Sequence, residues 1–369
     1  MNIMAASIST KVRYLITAST VGLIASFSTV LEAKATAFSS PSGTIQPRLA
    51  TFASPENYLT SGFDGVAQLV NNSFGFCNGS LLNTGLHVLT AAHCLDEQSD
   101  PLNINVNFDD DISIGTSKFF IYPEYDSLQS FNDLAIIELA SEAPANISRY
   151  DIYRNSDEVG RVGQKVGTGA FGTGSTGVGT SPEFFDDKRR TGQNRYDALG
   201  EIINGIIPSL EPIPPGTQLA YDFDSGLPEN DAFGLVFGEQ YADLGLGVNE
   251  VNSALGDSGS PTFIDGLIAG VTSYGFGADF SSNLLASDLT PLTDSSFGEI
   301  SVDTRVSFYA SWIDNILGIF EGEDGGVGEG EVEVEIGVGE TPTSIPQSTT
   351  VSGLMVLGTG LLLKRKKQN

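Results

Sequence analysis

A chain of 369 residues with 40% hydrophobic content has enough apolar material for a sizeable core, in one or two domains. Its 46 acids against 18 bases leave a formal charge of −28, a surface that repels phosphate backbones, so nucleic acid is not an expected partner. The 43 glycines and 16 prolines cut the apolar material into short runs, which argues against helical bundles and for an all-β fold.

The chain opens with Lys11 and Arg13 ahead of an apolar stretch from Tyr14 to Leu31, and Ala33-Lys34-Ala35 follows as a small-x-small cleavage site. That order predicts a signal peptide over 1–35. An uncleaved membrane anchor is the alternative, and the Ser and Thr that dilute the stretch favour cleavage. Residues 36–59 read as an irregular N-terminal segment or propeptide. Short apolar runs then predict strands at 65–70, 79–90, 102–108, 117–122 and 133–139. Further strands are expected at 162–169, 198–206, 217–224, 233–238, 261–264, 267–274 and 299–305. A closing helix over 306–318 places Val306, Tyr309, Ile313, Ile316 and Leu317 on one face. Residues 321–345 form a Gly- and Glu-rich linker too poor in apolar surface to pack a core. In the last segment, 346–369, the apolar run Val351–Leu363 precedes Lys364-Arg365-Lys366-Lys367. The run is shorter than the ~20 residues of a comfortable membrane helix. The basic cluster would hold this tail on the cytoplasmic side, as a sorting signal or as a single anchor, and the tail is the expected point of membrane contact.

Three segments carry chemistry. Leu89-Thr90-Ala91-Ala92-His93-Cys94 offers a base, and Asn132-Asp133-Leu134-Ala135-Ile136-Ile137 offers an acid at the head of an apolar run. Gly256-Asp257-Ser258-Gly259-Ser260-Pro261 sets a serine in a tight turn whose backbone N–H groups can converge. A serine hydroxyl is a poor nucleophile until a base takes its proton. The base in turn needs a buried acid to fix its tautomer and stabilise the imidazolium. Singly, the histidine could be a core residue and the serine turn an ordinary hairpin. Together they favour nucleophilic catalysis. The second of the two histidines, His87, lies between Leu86 and Val88 in a predicted strand and reads as structural.

In that chain order and with those neighbours, the three segments resemble the chymotrypsin/trypsin family of serine endopeptidases. Phe76-Cys77-Asn78-Gly79-Ser80-Leu81-Leu82 is similar to the family's segment before the histidine, and Val166-Gly167-Thr168-Gly169-Ala170-Phe171-Gly172 to the strand that opens its second barrel. Thr272-Ser273-Tyr274-Gly275 resembles the edge strand that pairs with substrate. Val302-Asp303-Thr304-Arg305-Val306-Ser307-Phe308-Tyr309, leading into Ala310-Ser311-Trp312-Ile313, resembles the approach to the closing helix. The likeness spans a protease domain at 60–320, with a poorly matched middle at 173–245. It implies two antiparallel six-stranded β-barrels with a C-terminal helix and an active site at their junction. His93 would be the base, Asp133 its orienting acid and Ser258 the nucleophile of an acyl-enzyme mechanism, with the N–H groups of Gly256 and Ser258 as oxyanion hole. Cys77 and Cys94, the two cysteines of the chain, fall where the family staples its histidine loop with a disulfide. A disulfide agrees with export. The tail, with Ile345-Pro346-Gln347-Ser348 in front of it, resembles a bacterial Pro-Glu-Pro-type sorting signal. The expectation is an exported, extracellular or cell-surface protein of bacterial type, acting on protein or peptide substrates.

Ser273 and Gly275 are expected to bind substrate, and alignment of the Ser258 turn places Asn252 at the floor of the specificity pocket. Alternation along 300–306 puts Ser301 and Asp303 on the same pocket. An unpartnered Asp303 carboxylate would favour cleavage after Lys or Arg, with large uncharged residues as the runner-up. No cofactor is expected. Calcium would suit either acidic turn, Asp109-Asp110-Asp111 or Asp222, Asp224, Glu229 and Asp231, but neither spacing is an EF-hand loop and no metal site is assigned. Arg48-Leu49 is a candidate activation cleavage. The rival readings are a protease-like binding module without catalysis and an α/β-hydrolase, which would need the order Ser, Asp, His.

Overall fold

The computed structural model describes residues 62–319 apart from 72–73, 96–102, 109–111, 187, 205, 207–210 and 278–286. The expected signal peptide, N-terminal segment, acidic linker and tail lie outside the described residues, as do Arg48-Leu49 and Asp109–Asp111. Among the described residues no helix is long and apolar enough to cross a membrane.

Six strands close the first barrel: β1 (Val66–Asn71), β2 (Phe74–Leu81), β3 (His87–Thr90), β4 (Ile104–Asn107), β5 (Ser113–Ile121) and β6 (Ala135–Leu139). Their order is β1-β2-β3-β6-β5-β4, and β4 returns to β1 with Leu69 opposite Val106. Closure leaves no open edge. Leu69, Leu81, Val88, Val106 and Ile136 point inward and are buried, which is what alternating apolar positions achieve on a closed pleat.

The second half differs from the expected six-stranded barrel. It is a curled seven-stranded sheet made of β7 (Val162–Gly167), β8 (Arg190–Arg195), β9 (Ala198–Leu199), β10 (Gln218–Asp222), β11 (Pro261–Ile264), β12 (Leu267–Phe276) and β13 (Ile300–Arg305). The order is β8-β7-β11-β12-β13-β10-β9, so β8 and the two-residue β9 form its edges. The two halves together make a trypsin-like fold. Part of the second core is polar. Lys165 Nζ lies 2.9 Å from Asp303 Oδ2, which also accepts Tyr196 OH and Thr262 Oγ1, each at 2.6 Å. Complete burial lowers the Lys165 pKa, Asp303 opposes that shift, and Nζ sits 3.8 Å from the Tyr221 ring centroid. Removing either partner would leave a buried charge, at a cost of about 3–5 kcal/mol. A second buried pair joins Arg305 to Glu158 at 2.6 Å.

Several elements depart from the sequence-based expectation. The run 79–90 is a hairpin, with β2 and β3 joined by a turn in which Gly85 N–H donates to Leu82 O at 2.9 Å. At 198–206 the strand lasts two residues before a short 3-10 turn, Gly200–Ile203. Residues 233–238 are not a strand: α1 (Ala232–Phe237) is capped by Asp231, whose carboxylate accepts Gly234 N–H at 2.6 Å. A six-residue apolar run has no periodicity to separate helix from strand, and the cap decides. β8 is not among the expected strands, because Arg-Thr-Gly-Gln-Asn-Arg shows no apolar alternation; it exists by pairing along all six residues with β7. The closing helix begins as a 3-10 turn at Val306–Tyr309 and continues as α2 (Ala310–Leu317), burying Tyr309 and Ile313 against the first barrel's core.

Candidate active site

Asp133 immediately precedes Leu134 and β6, and Asn132 in a left-handed conformation (φ 55°) turns the chain there. Asn132 is held by both ends of its amide: Nδ2 donates to Glu124 O at 2.8 Å and Oδ1 accepts Tyr309 OH at 2.8 Å. The Asp133 side chain is fully buried. Its Oδ1 accepts the His93 backbone N–H at 2.8 Å, and Oδ2 lies 2.7 Å from His93 Nδ1. Oδ2 also accepts Ser273 Oγ at 2.5 Å. Ser273 reaches it because the β12–β13 register shifts between Thr272 and Tyr274, a bulge that re-aims one side chain. A carboxylate accepting three donors holds the imidazole with Nδ1 towards Asp133 and Nε2 on the opposite side of the ring, 3.9 Å from Cys94 Sγ. His93 itself stands on a short 3-10 turn, Ala92–Cys94, pinned by the disulfide between Cys77 and Cys94.

The Ser258 turn is bound to both halves of the molecule. Asn78 N–H donates to Ser258 O at 2.7 Å, and Gly259 N–H donates to Thr272 O at 2.8 Å, one residue from Ser273. Asn78 precedes Gly79 in β2 and follows Cys77, so the same strand that carries the disulfide also holds the serine's carbonyl. Gly259 (φ 78°) lies so close to β2 that a Cβ would come within 2.2 Å of Asn78 O and 2.3 Å of Thr90 Oγ1. Gly256 has φ 94°, in the region that favours glycine. Hydrogen bonds within the turn and from it to β12 use the N–H groups of Asp257, Gly259 and Ser260, and leave those of Gly256 and Ser258 out. Asp257 is buried, with Oδ1 accepting Gly169 N–H at 2.8 Å and Oδ2 accepting Ala254 N–H at 3.0 Å; burial pushes its pKa up to about 7.

A cleft of about 310 Å³ opens beside the serine, with Ser253, Ser258, Ser273, Gly275, Glu299 and Ser301 in its wall. Asn252 is buried beneath it and accepts Ser301 Oγ at 2.7 Å and Ser253 N–H at 2.9 Å through Oδ1. Because a backbone N–H can only donate, that bond fixes the orientation of the amide, and Nδ2 is a buried donor without a partner. Asp303 corrects an expectation. Its carboxylate is turned into the second core and already paired with Lys165, so it does not wait for a substrate cation. Alternation placed Asp303 on the inner face but could not show that Lys165 of β7 meets it there, 138 residues away in the chain. His87 stands apart from the site, with Nδ1 2.9 Å from Thr84 Oγ1 and its pKa lowered by burial.

Two site residues escaped the sequence reading. Asn78 is fully buried, donates from Nδ2 to Gly256 O at 2.7 Å and accepts Thr168 Oγ1 through Oδ1 at 2.8 Å. Its one signal is an amide beside the cysteine in β2. Glu299 lines the cleft with its carboxylate on the N–H groups of Asp294 (2.7 Å) and Ser295 (3.0 Å), and burial raises its pKa to about 8. Nothing local in the sequence marks it.

The Trypsin family model matches residues 59–186. Trypsin II-P29 of Gallus gallus is 25% identical over 255 residues, covering 68% of this chain and 83% of that protein. Trypsin-2 of Salmo salar is 26% identical over 241 residues, 62% of this chain and 88% of that protein. Among solved structures, neuropsin, a serine protease expressed in the limbic system of mouse brain, aligns with a TM-score of 0.49 at 18% identity, over 69% of this chain and 95% of its own. In its barrel and half-barrel and in these matches the chain is similar to trypsin-like serine proteases. The chain is a serine-type endopeptidase, a hydrolase.

Proposed function

We propose that the chain cleaves peptide bonds outside the cell through Ser258, His93 and Asp133, by way of an acyl-enzyme. The observation that supports this reading most strongly is the fully buried Asp133 carboxylate gripping His93 Nδ1 at 2.7 Å. In the first half-reaction Ser258 Oγ attacks the peptide carbonyl carbon while His93 Nε2 takes the hydroxyl proton. The carbonyl oxygen, now an anion, accepts the N–H groups of Gly256 and Ser258, each worth ~3 kcal/mol in such sites. The C–N bond then breaks, His93 returns the proton to the leaving amine, and Ser258 is left acylated. Water repeats the sequence and releases the acid. Asp133 remains ionised throughout and stabilises the imidazolium. The Cys77–Cys94 bond supports export, because disulfides persist on the oxidising side of a membrane. The N-terminal and C-terminal sequence signals favour a bacterial-type surface or extracellular location.

A fluorophosphonate probe is expected to label Ser258 in the mature protein. Ser258→Ala should abolish labelling, and Ser258→Ala and His93→Ala should each lower peptide hydrolysis by several orders of magnitude with the fold retained. Near-wild-type turnover in Ser258→Ala, or a wild type inert to the probe, sinks the proposal and favours a non-catalytic binding module.

For the cleft, the unpartnered Asn252 Nδ2 favours an uncharged substrate side chain that ends in a hydrogen-bond acceptor. Lys and Arg carry donors alone and would leave that buried group unpaired. A peptide-library profile should therefore favour uncharged side chains over Lys and Arg, and Asn252→Asp should shift the preference towards Lys and Arg. A wild-type enzyme that prefers Lys or Arg contradicts this.

A further inference from the structure

Away from the cleft, a dense cluster of carboxylates gathers where β10 ends. Asp222, Asp224 and Asp231 are 1%, 2% and 5% exposed. Each offers a carboxylate oxygen within 4.8 Å of the others. Two more acids back them. Asp197 Oδ2 accepts the Asp222 N–H at 3.3 Å, and Glu250 Oε1 accepts the Asp224 N–H at 2.9 Å. Arg195 is paired with Asp243 Oδ2 at 3.1 Å, and among the described residues no Lys or Arg forms an ion pair with any of the three.

Backbone donors hold two of the three in place: Asp222 Oδ2 accepts Phe233 N–H at 2.9 Å and Asp231 Oδ1 accepts Gly234 N–H at 2.6 Å. The third is different. Asp224 Oδ1 is enclosed and has no hydrogen-bond partner, although its side chain is almost wholly buried. A buried acceptor without a donor is costly, and a buried cluster of like charges more so. A cation held among the three would supply the partner that Asp224 Oδ1 lacks and offset the repulsion within the cluster.

We propose that Asp222, Asp224 and Asp231 bind a calcium ion. The donor set is all hard oxygen, with neither nitrogen nor sulfur to favour zinc. Magnesium keeps several of its waters, which a cluster this enclosed does not accommodate, whereas calcium sheds water readily and takes carboxylate and carbonyl oxygens together. The ion would join the end of β10, with the residues just after it, to the cap of α1. It would also brace Glu250, which stands two residues before Asn252 beneath the cleft. No step of peptide hydrolysis passes through it, so the proposal stands independently of the catalytic reading and can be tested on the Ser258→Ala protein.

The experiment is a thermal melt of the full chain after dialysis against EDTA, with calcium or magnesium chloride added back, alongside equilibrium dialysis with labelled calcium. Calcium at about 100 times its dissociation constant should raise Tm by roughly 5–10 °C, and equal magnesium by much less. In Asp224→Asn the calcium shift should disappear. Its Tm in EDTA should equal or exceed that of the wild type, because one repelling charge is gone. That sign would not be expected if Asp224 were only a structural hydrogen-bonding group. A wild type that binds no calcium at millimolar concentration overturns the proposal, whether or not the variant folds. A calcium shift retained in full by Asp224→Asn also overturns it, and would move the site to other acids of the chain.

Discussion

Asn78 connects more of the site than any residue the chemistry names. Its side chain holds Gly256 O and Thr168 Oγ1, while its backbone holds Ser258 O and accepts Thr90 Oγ1 at 2.6 Å. It therefore sets where the Gly256–Ser258 backbone stands relative to the first barrel, which carries His93. Asn78→Ala would leave Gly256 O without its donor and open a small void, a loss of about 1–3 kcal/mol in stability. Because the residue acts by positioning, kcat should fall about tenfold or more with KM changed far less, as read from steady-state kinetics at a temperature where the variant remains folded. Equal kcat in the folded variant would show that the turn is held without it. His93, Asp133 and Ser258 stood out because each sits in a distinctive short segment. Asn78 and Glu299 did not, because their roles depend on partners 178 residues away and on burial respectively.

At the scale of elements, the histidine turn is too short to hold itself. Ala92–Cys94 is a single 3-10 turn without a side-chain cap, so its position rests on the disulfide to β2 and on the Asp133 contacts. The Cys77–Cys94 link spans 17 residues, and in the chain-entropy model a loop of that length is stabilised by about 3 kcal/mol. The double variant Cys77→Ser, Cys94→Ser is expected to melt roughly 6–12 °C lower by calorimetry, and to lose activity at temperatures where it is still folded. An unchanged Tm would mean that the Asp133 contacts hold the turn alone. The bulge at Ser273 belongs to this scale too. A regular β12–β13 ladder would send Ser273 to the other face, and the extra residue is what brings its hydroxyl to Asp133.

At the scale of the whole molecule, burial of acids makes stability depend on pH with an unusual sign. Asp257 and Glu299 titrate near 7 and 8 in the folded chain, raised by burial, whereas unfolded carboxyls titrate near ~4. Between those limits the folded protein holds more protons than the unfolded chain, so stability falls as pH rises from about 4 through about 8. Each such group costs up to about 1.4 kcal/mol per pH unit in that window, or about 2–4 °C of Tm in a domain of this size. Calorimetry at constant ionic strength should show Tm falling from pH 5 to pH 8, and Glu299→Gln should flatten the fall. A Tm that climbs across the range would show that these groups ionise freely in the fold. The net charge of −28 pushes in the same direction, since self-repulsion grows as the remaining acids ionise.

The sequence alone carried the all-β expectation, in apolar runs punctuated by Gly and Pro, and the three segments that suggest nucleophilic catalysis. The pairing of Cys77 with Cys94 was what the family resemblance implied, and the structure contains it. Tertiary structure decided what depends on long-range pairing. Among the described residues it left the second half a seven-stranded sheet with β8 and β9 at its edges. It made 232–237 a helix through the Asp231 cap. It also turned Asp303 from an expected substrate ligand into the partner of Lys165. Alternation assigns a residue to a face of a strand, but the residue that meets it there comes from another strand. A buried charge is free or neutralised according to that second strand, and that is a property of the folded chain rather than of any local stretch of it.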